Sequence, residues 1–481
     1  MSTYGDKKIQ DLVTKDSLDL DNLVVIEDDD GTKLIPVRLI KQTVSSTLFF
    51  NNVEEMKSGT FLENEVCETL GYHEPGDGGG ALYRITYNPT AIGDNGLIHD
   101  GLICNNVYRA EMIIRDGEVA PEQFGAKGDG VTDDTAAINK CIASGYNIKF
   151  NKKKIYAVKG LTIPNNYILD LNGSTLRSLT TIFVRTDVND YVENITIQNG
   201  IIKATNNTAI LVTCKSYNLK LNNLSFVDYL ESEEAANIPT KSVFICIGSA
   251  RGCKIINCDF KVKSYKYNKK NGIEVDVVNN SYLYADITID RCVFTHMNTA
   301  IYCHHSSSLC DCKLTVSNCN CYNDEFTSIK TTNELTTLGL TSNNYGSFII
   351  SDAEIVDISN IVTEGVQHVI DLTYNRTTSE NECNRWDMRN IETTYADYIF
   401  DIVGDEYSDH VTTISGYVTS DRVSSIVSTI STIRATFKRA YGDIIINGRL
   451  PKGVSKITSE SEIIGDVTTP VYIDMDMEVE Y

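Results

Sequence analysis

The chain has 481 residues, 42% of them hydrophobic, a formal net charge of −22 and a pI near 4.7. That acidity argues against nucleic acid and anionic membrane as main partners, since both need clustered Lys and Arg. No run reaches the ~18 apolar residues of a membrane span, and the start, MSTYGDKKIQDLVTKDSLDLDNLVV, has no basic n-region, apolar core and small-residue cleavage site. Membrane insertion and secretion by the usual route are therefore not expected, whereas a neutral or hydroxyl-rich ligand is compatible.

Residues 1–48 read as a small module, with strands around LVVIEDD and TKLIPVR hinged on the hairpin signal Asp30-Gly31 and helix-like flanks. Residues 49–118 form a second β-rich unit centred on GDGGG, Gly76 to Gly80. Next comes PEQFGAKGDGVTDDTAAINKCI, Pro121 to Ile142, where glycines and aspartates crowd ahead of a helix-like run. It lacks the Gly-x4-Gly-Lys-Ser/Thr frame of a phosphate loop, and Asp129, Asp133 and Asp134 do not supply the acidic frame of an EF-hand. Local structure remains: Thr132 or Asp133 caps a helix through DDTAAINKCIASG, with Asp133 and Asp134 opposing the helix end. Ala136, Ala137, Cys141 and Ile142 give that helix an apolar face able to close the open end of a stacked core.

From about residue 165 a pattern recurs, apolar-x-apolar-x-(Asn/Gly)-x-x-apolar. The copies are ITIQNGII, LKLNNLSF, CKIINCDF, ITIDRCVF, LTVSNCNC, VDISNIVT, WDMRNIET and TTISGYVT, starting at Ile195, Leu219, Cys253, Ile287, Leu314, Val356, Trp386 and Thr412. The intervals run from 24 to 42 residues, and LDLNGSTL at Leu169 extends the series backward. Period-two alternation means strand. The fifth position is Gly173, Asn199, Asn223, Asn257, Arg291, Asn318, Asn360, Asn390 and Gly416; that choice marks a left-handed corner, which Asn and Gly tolerate best. Strand, one-residue corner and strand, repeated, describe a parallel β-helix with stacked Asn amides. An antiparallel sandwich would not explain the recurrent corner.

Fourteen cysteines without a signal peptide read as reduced thiols. Cys258, Cys292 and Cys319 follow the corner in consecutive copies and should stack inside the coil beside Leu224 and Ile361. Cys310-x-Cys312 and Cys319-x-Cys321 lie near His304 and His305, but their spacing is not the C-x2-C of a zinc knuckle. No metal or cofactor is expected. The lone Trp386 aligns with Val356 and Leu314, as a core residue.

Two motifs carry a family resemblance. Pro121 to Ile142 resembles the FGAKGDGVTDDTAAI signature that opens the pectate-lyase-like β-helix of many bacteriophage tailspikes and related glycan-active proteins. VCETLGYHEPGDGGGALYRI, Val66 to Ile85, is similar to a glycine-rich segment of phage tail proteins, with Ala81 where a fourth glycine is common. Residues 12 to 44 more weakly resemble the virion-attachment region of such proteins. The resemblance implies an all-β chain: a right-handed parallel β-helix with a short capping helix, over residues 119–430, and small amino-terminal β-rich modules. It also implies a homotrimer located in the virion tail after synthesis in the bacterial host cytoplasm, joined to other phage tail proteins through residues 1–48 and binding a host surface glycan. Residues 431–481 either complete the coil or make a trimer contact. Such a protein is a polysaccharide depolymerase, hydrolase or lyase, or a non-enzymatic structural or receptor-binding appendage. A free bacterial polysaccharide lyase or glycoside hydrolase is the alternative, and the attachment-like start weighs against it.

A second strand set, AILVTC, VFICIG, GIEVDV, AIYCHH, VIDLTY and IFDIVG, aligns one outward strip. Its outward positions are read as Leu211 and Thr213, Ile245 and Ile247, Glu274 and Asp276, Tyr302 and His304, Asp371 and Thr373, then Asp401. Glu274 and Asp276 supply the paired carboxylates that glycoside hydrolysis uses, with Tyr302 as stacking ring and His304 as a base. A lyase would instead use His304, Tyr302 or a Lys to remove a proton beside a uronate. These four are the catalytic candidates. Asp371, with Glu231 and Glu233 of the acidic loop Asp228 to Thr240, are the substrate-binding ones. Ordinary solvated residues on an acidic surface are the competing account.

Overall fold

The structure is a computed structural model. It describes the strands Leu23–Asp28 and Gly31–Pro36, then residues 47–100, 107–185, 192–204, 211–213, 215–228, 242–248, 250–263, 270–277, 284–305, 311–323, 346–366, 368–373, 383–394, 398–404, 409–420, 432–437, 444–446 and 457–461. Two compact units are present: Met1–Ala126 with Ser144–Asn147, and Lys127–Ala143 with Ile148–Tyr481. No helix among the described residues is long and apolar enough to cross a membrane.

In the first unit, Leu23–Asp28 and Gly31–Pro36 pair antiparallel as the Asp30-Gly31 signal requires, closing at Asp28 opposite Gly31. A five-stranded sheet follows, ordered Leu48–Phe50, Val66–Thr69, Leu82–Tyr87, Tyr108–Met112 and Ile98–His99. Its core gathers Val53, Met56, Phe61, Cys67, Tyr83 and Ile85. The GDGGG run is built around one carboxylate: Asp77 accepts from the backbone N–H groups of Tyr72, His73, Glu74 and Gly79, at 2.7–3.2 Å. Burial alone would raise the Asp77 carboxyl; these N–H groups outweigh it and hold the group below its ordinary range. The motif is a turn held by Asp77.

The second unit is a parallel β-helix. One column shows the register: Leu169, Ile197, Leu221, Ile255, Ile289, Val316, Ile358, Met388, Ile414 and Ile446 pair rung to rung, all parallel, and those from Leu169 to Met388 are buried. A ten-stranded parallel sheet stacks alongside, from Phe183–Arg185 to Ile457–Ser461. A three-stranded sheet comprises Val192–Glu193, Ser216–Tyr217 and Ala250–Arg251. Thr432–Phe437, Ile444–Ile446 and Ile457–Ser461 extend the two larger sheets, so the carboxy-terminal part continues the coil.

The corner reads as the repeat requires. Gly173, Asn199, Asn223, Asn257, Arg291, Asn318, Asn360 and Asn390 all have φ between 52° and 76°. Asn amides climb the corner, Asn223 donating to Asn199 (2.8 Å), Asn360 to Asn318 (3.0 Å) and Asn390 to Asn360 (2.9 Å). At the odd member, Arg291 Nε donates to Asn257 Oδ1 (2.7 Å) while Asn318 turns to Asp290 (2.8 Å). A second ladder, not apparent in the repeat, runs through Asn166, Asn194 and Asn218, each at positive φ and linked at 2.8 and 3.0 Å. Gly252 ends it, because a Cβ there would lie 2.4 Å from Asn218 Oδ1.

The first and last copies depart from simple repetition. Leu169 pairs with Ile197, not Ile195, whereas Thr175 pairs with Ile201. The first corner is two residues longer and holds both Asn172 and Gly173 at positive φ. Between Asn390 and Gly416 the register shifts once more.

The lumen is packed in stacks. Phe226, Phe260 and Phe294 lie nearly parallel with centroids 4.8 and 4.9 Å apart, flanked by Phe244 and Phe348. Cys258, Cys292 and Cys319 are fully buried in one column with Leu224 and Ile361, as the repeat implies, and Trp386 is buried. One charged pair is enclosed with them: Lys270 Nζ lies 3.0 Å from Asp228 Oδ2 and 4.7 Å from the Phe244 centroid, both side chains without exposure. Desolvation lowers the Lys270 pKa, and Asp228 opposes that shift.

The helix of the GDGVTDD segment is Thr135–Ala143. Asp133 accepts from the Thr135 N–H at 3.1 Å, as expected of a cap. The other acidic positions differ. Asp134 is 2% exposed and its carboxylate turns back to the Lys127 and Gly128 N–H groups (2.7 and 3.1 Å). The Thr132 hydroxyl donates to Asp129, which also takes the Val131 and Thr132 N–H groups. Those hydrogen bonds lower the Asp129 carboxyl to about 2. Asp129–Asp133 is itself the first parallel strand, paired with Ile155–Val158. The helix buries Ala137, Ile138, Cys141 and Ile142, a face at i, i+1, i+4 and i+5 that leaves Ala136 exposed.

An Asn360→Ala substitution places a Cβ-bearing residue without a compensating amide at φ 55° and breaks both ladder contacts. Urea unfolding should show a loss of about 1–2 kcal/mol from backbone strain, with Asn360→Gly losing less. Equal losses for both would contradict the corner's conformational role.

Candidate functional site

Stacked rungs bring outward residues of neighbouring strands to ~4.8 Å spacing. On the ten-stranded sheet the residues in register are Val212, Cys246, Glu274, Tyr302, Ile350, Asp371, Asp401 and Arg434. Two residues along lies the neighbouring column, with Gly248, Asp276 and His304. Each rung has two buried residues, one half-buried, then one buried: Phe244-Ile245-Cys246-Ile247, Ala300-Ile301-Tyr302-Cys303, Phe348-Ile349-Ile350-Ser351 and Val369-Ile370-Asp371-Leu372.

This corrects part of the strip expected from sequence. Ile245 and Ile247 are not outward; both have 0% exposure and pair with the inward Ile273 and Val275. By backbone register Leu211 pairs with Ile245 and Thr213 with Ile247. The run VFICI is apolar throughout and offers no polar alternation to fix parity, so a one-residue slip goes unseen.

Glu274, Tyr302 and Asp371 do fall in one column, with Asp276 and His304 beside it. Ile350 separates Tyr302 from Asp371, on the strand Ser347–Ser351 that the alignment omitted. For Asp276 and Asp401 the backbone register alone is described, and Glu231 and Glu233 lie outside the described residues.

Side-chain contacts join these positions to two residues that the sequence did not single out. His304 Nδ1 is 2.7 Å from Asp352 Oδ2, with side-chain exposures of 45% and 21%. The Tyr302 ring stacks near His304, centroids 6.1 Å apart at 23°. His368 Nδ1 lies 3.4 Å from Asp371 Oδ2, a longer contact. One signal for Asp352 was available: the 42-residue interval between Leu314 and Val356 must hold a strand of the second sheet, and SFIIS immediately precedes Asp352.

Half-buried carboxylates at Glu274, Asp352 and Asp371, the Tyr302 ring and the imidazoles of His304 and His368 thus share one face. The arrangement can stack against a sugar ring, accept hydroxyl hydrogen bonds and exchange protons. Among the described residues, no group of three or more His, Cys, Asp or Glu is placed to hold a metal ion. Cys312, Cys319 and Cys321 are buried, and burial raises the Cys321 thiol.

The registers define a parallel β-helix protein. No family model matches the chain. Over 57 residues it is 44% identical to a capsule K30/K69-specific depolymerase of Klebsiella phage K5-2, covering 11% of this chain and 7% of that protein's length. Among solved structures it is similar to the tailspike gp49 of Acinetobacter baumannii bacteriophage Fri1, a capsular polysaccharide depolymerase. There the identity is 11%, the TM-score 0.47, and coverage is 85% of this chain and 76% of that one. Similarity to a polygalacturonase of Erwinia carotovora has 12% identity and TM-score 0.41, covering 69% of this chain and 94% of that one.

The corrected register has a direct chemical consequence. Cys246 is the half-buried member of the described cysteines, whereas Cys253, Cys258, Cys292, Cys303, Cys312, Cys319 and Cys321 are buried. Burial pushes Cys253 up to about 12. Iodoacetamide treatment of the native chain, mapped by peptide mass spectrometry, should modify Cys246 well before those seven. Protection of Cys246 equal to theirs would put it inside the coil.

Proposed function

We propose that the chain is a phage tail protein that binds host cell-surface polysaccharide and cleaves it by hydrolysis along the Glu274 column. The observation that carries this reading is the in-register pairing of Glu274 with Tyr302, beside His304 and its Asp352 contact, on an outward sheet face. Glu274 and Asp276 stand two residues apart on the strand Lys270–Val277, a backbone separation of ~7 Å that falls within the ~5–10 Å glycoside hydrolysis uses. Charge favours hydrolysis over uronate elimination: the net charge of −22 and the carboxylates at Glu274, Asp352 and Asp371 repel an acidic sugar. The short match to a phage capsule depolymerase supports the same reading.

In the proposed assignment Glu274 and Asp276 are the paired carboxylates, His304 exchanges a proton, Tyr302 stacks on a sugar ring, and Asp371, Glu231 and Glu233 bind substrate hydroxyls. Residues 1–48 attach to other tail proteins, 49–118 form the GDGGG module, 119–430 the cap and β-helix, and 431–481 its end. The chain is made in the bacterial host cytoplasm and assembles as a homotrimer in the virion tail. Mass photometry should then give three times the 53.5 kDa chain mass, and a stable monomer would refute the assembly.

Incubation with purified host capsule should release reducing ends without the ultraviolet absorbance of unsaturated uronates. Glu274→Gln and His304→Ala should each lower that release by about 10²–10⁴-fold. Unsaturated products would replace hydrolysis with elimination. Full activity in both variants would move the site elsewhere, and binding without release would make the protein a non-cleaving appendage.

A further inference from the structure

His304 is held by a turn whose own support is buried. Asp352 follows the strand Ser347–Ser351, and its N–H donates to the Cys303 carbonyl at 3.2 Å, the residue before His304. The Ala353 N–H donates to Ser351 Oγ (3.1 Å), and Trp386 Nε1, inside the coil, donates to the Ala353 carbonyl (3.0 Å). Glu354, 3% exposed, points the other way and accepts from the Cys312 N–H at 2.6 Å. Three successive residues after the strand are thus pinned by backbone or core contacts, and Asp352 alone of the three is half-buried on the outward side.

We infer that Asp352 is a positioning residue that fixes the protonation pattern and orientation of His304. A carboxylate only accepts hydrogen bonds, so at 2.7 Å the proton lies on Nδ1 and the neutral ring keeps its lone pair on Nε2. Tyr302, stacked near the imidazole, restricts ring rotation from one side. The Nε2 atom is then the one that takes a proton from, or returns it to, a bound ligand; this last step depends on the depolymerase reading above. Asp352 itself need not touch substrate. The buried indole of Trp386 serves the same end at one remove, by fixing the peptide that carries Asp352.

The test is a nitrogen-15 spectrum of the full chain labelled at histidine, with His304 assigned by its loss in His304→Gln. The neutral His304 ring should show a protonated Nδ1 and an unprotonated Nε2. In Asp352→Ala the pattern should move toward Nε2–H, the form a free neutral imidazole prefers. His296, whose Nδ1 lies 3.0 Å from the Val262 carbonyl, is the internal control: its unchanged signal shows that the coil remains folded. An Nε2–H ring in the unsubstituted chain, or the same tautomer in Asp352→Ala with His296 unchanged, overturns the inference. With a polymer that the chain cleaves, Asp352→Ala should lower kcat about 10²-fold or more at nearly constant KM; a rise in KM alone would contradict a role in positioning His304. If no polymer is cleaved, the depolymerase reading fails, while the tautomer still decides what Asp352 does to His304.

Discussion

The left-handed corner is the constraint on which the rest depends. A strand that alternates faces must turn once per half-coil without losing parity, and one residue at φ near 55° does this at Asn199, Asn223, Asn257, Asn318, Asn360 and Asn390. A slip of one residue would send Glu274 inward and Ile273 outward. Repeated in copy after copy, the corner keeps the same side chains of the larger sheet facing the lumen. Its amide ladder supplies the side-chain hydrogen bonds that tie one rung's corner to the next, and the lumen stack of Phe226, Phe260 and Phe294 fixes the same register from inside.

The sequence repeat made the corner and the core legible because both are chemical necessities: few residues tolerate positive φ, and a lumen accepts only apolar or fully paired groups. Cys258, Cys292 and Cys319 could be placed inside the coil from their distance to the corner alone. Less could be read on the second sheet, which lacks such a corner residue in the repeat. There Glu274, Tyr302 and Asp371 were legible because polar residues interrupt apolar runs, while VFICI had no interruption and its parity was lost. Asp352 was hidden for a different reason. It lies past the end of a strand, and its meaning depends on a neighbouring rung 48 residues away in sequence.

The acidic motif GDGVTDD shows how architecture can imitate a site. Its aspartates are acceptors for backbone N–H groups: Asp129 for Val131 and Thr132, Asp133 for Thr135, Asp134 for Lys127 and Gly128. Asp77 does the same in the upstream glycine run. Each local donor takes up part of a carboxylate's acceptor capacity and fixes its orientation toward the turn. The carboxylates of the Glu274 column stand on regular strands instead, where stacking and not local turns determines their neighbours. The division follows: turns shape the start of the coil, and its middle rungs carry the proposed site.

Hydrogen–deuterium exchange with and without host polysaccharide addresses the central claim most directly. Binding along the Glu274 column should slow exchange in Lys270–Val277, Thr299–His305, Ser347–Ser351 and His368–Thr373, with little change in the sheet of the amino-terminal unit. Protection confined to that amino-terminal sheet, or to the Asn corner, would place the glycan elsewhere and contradict the account.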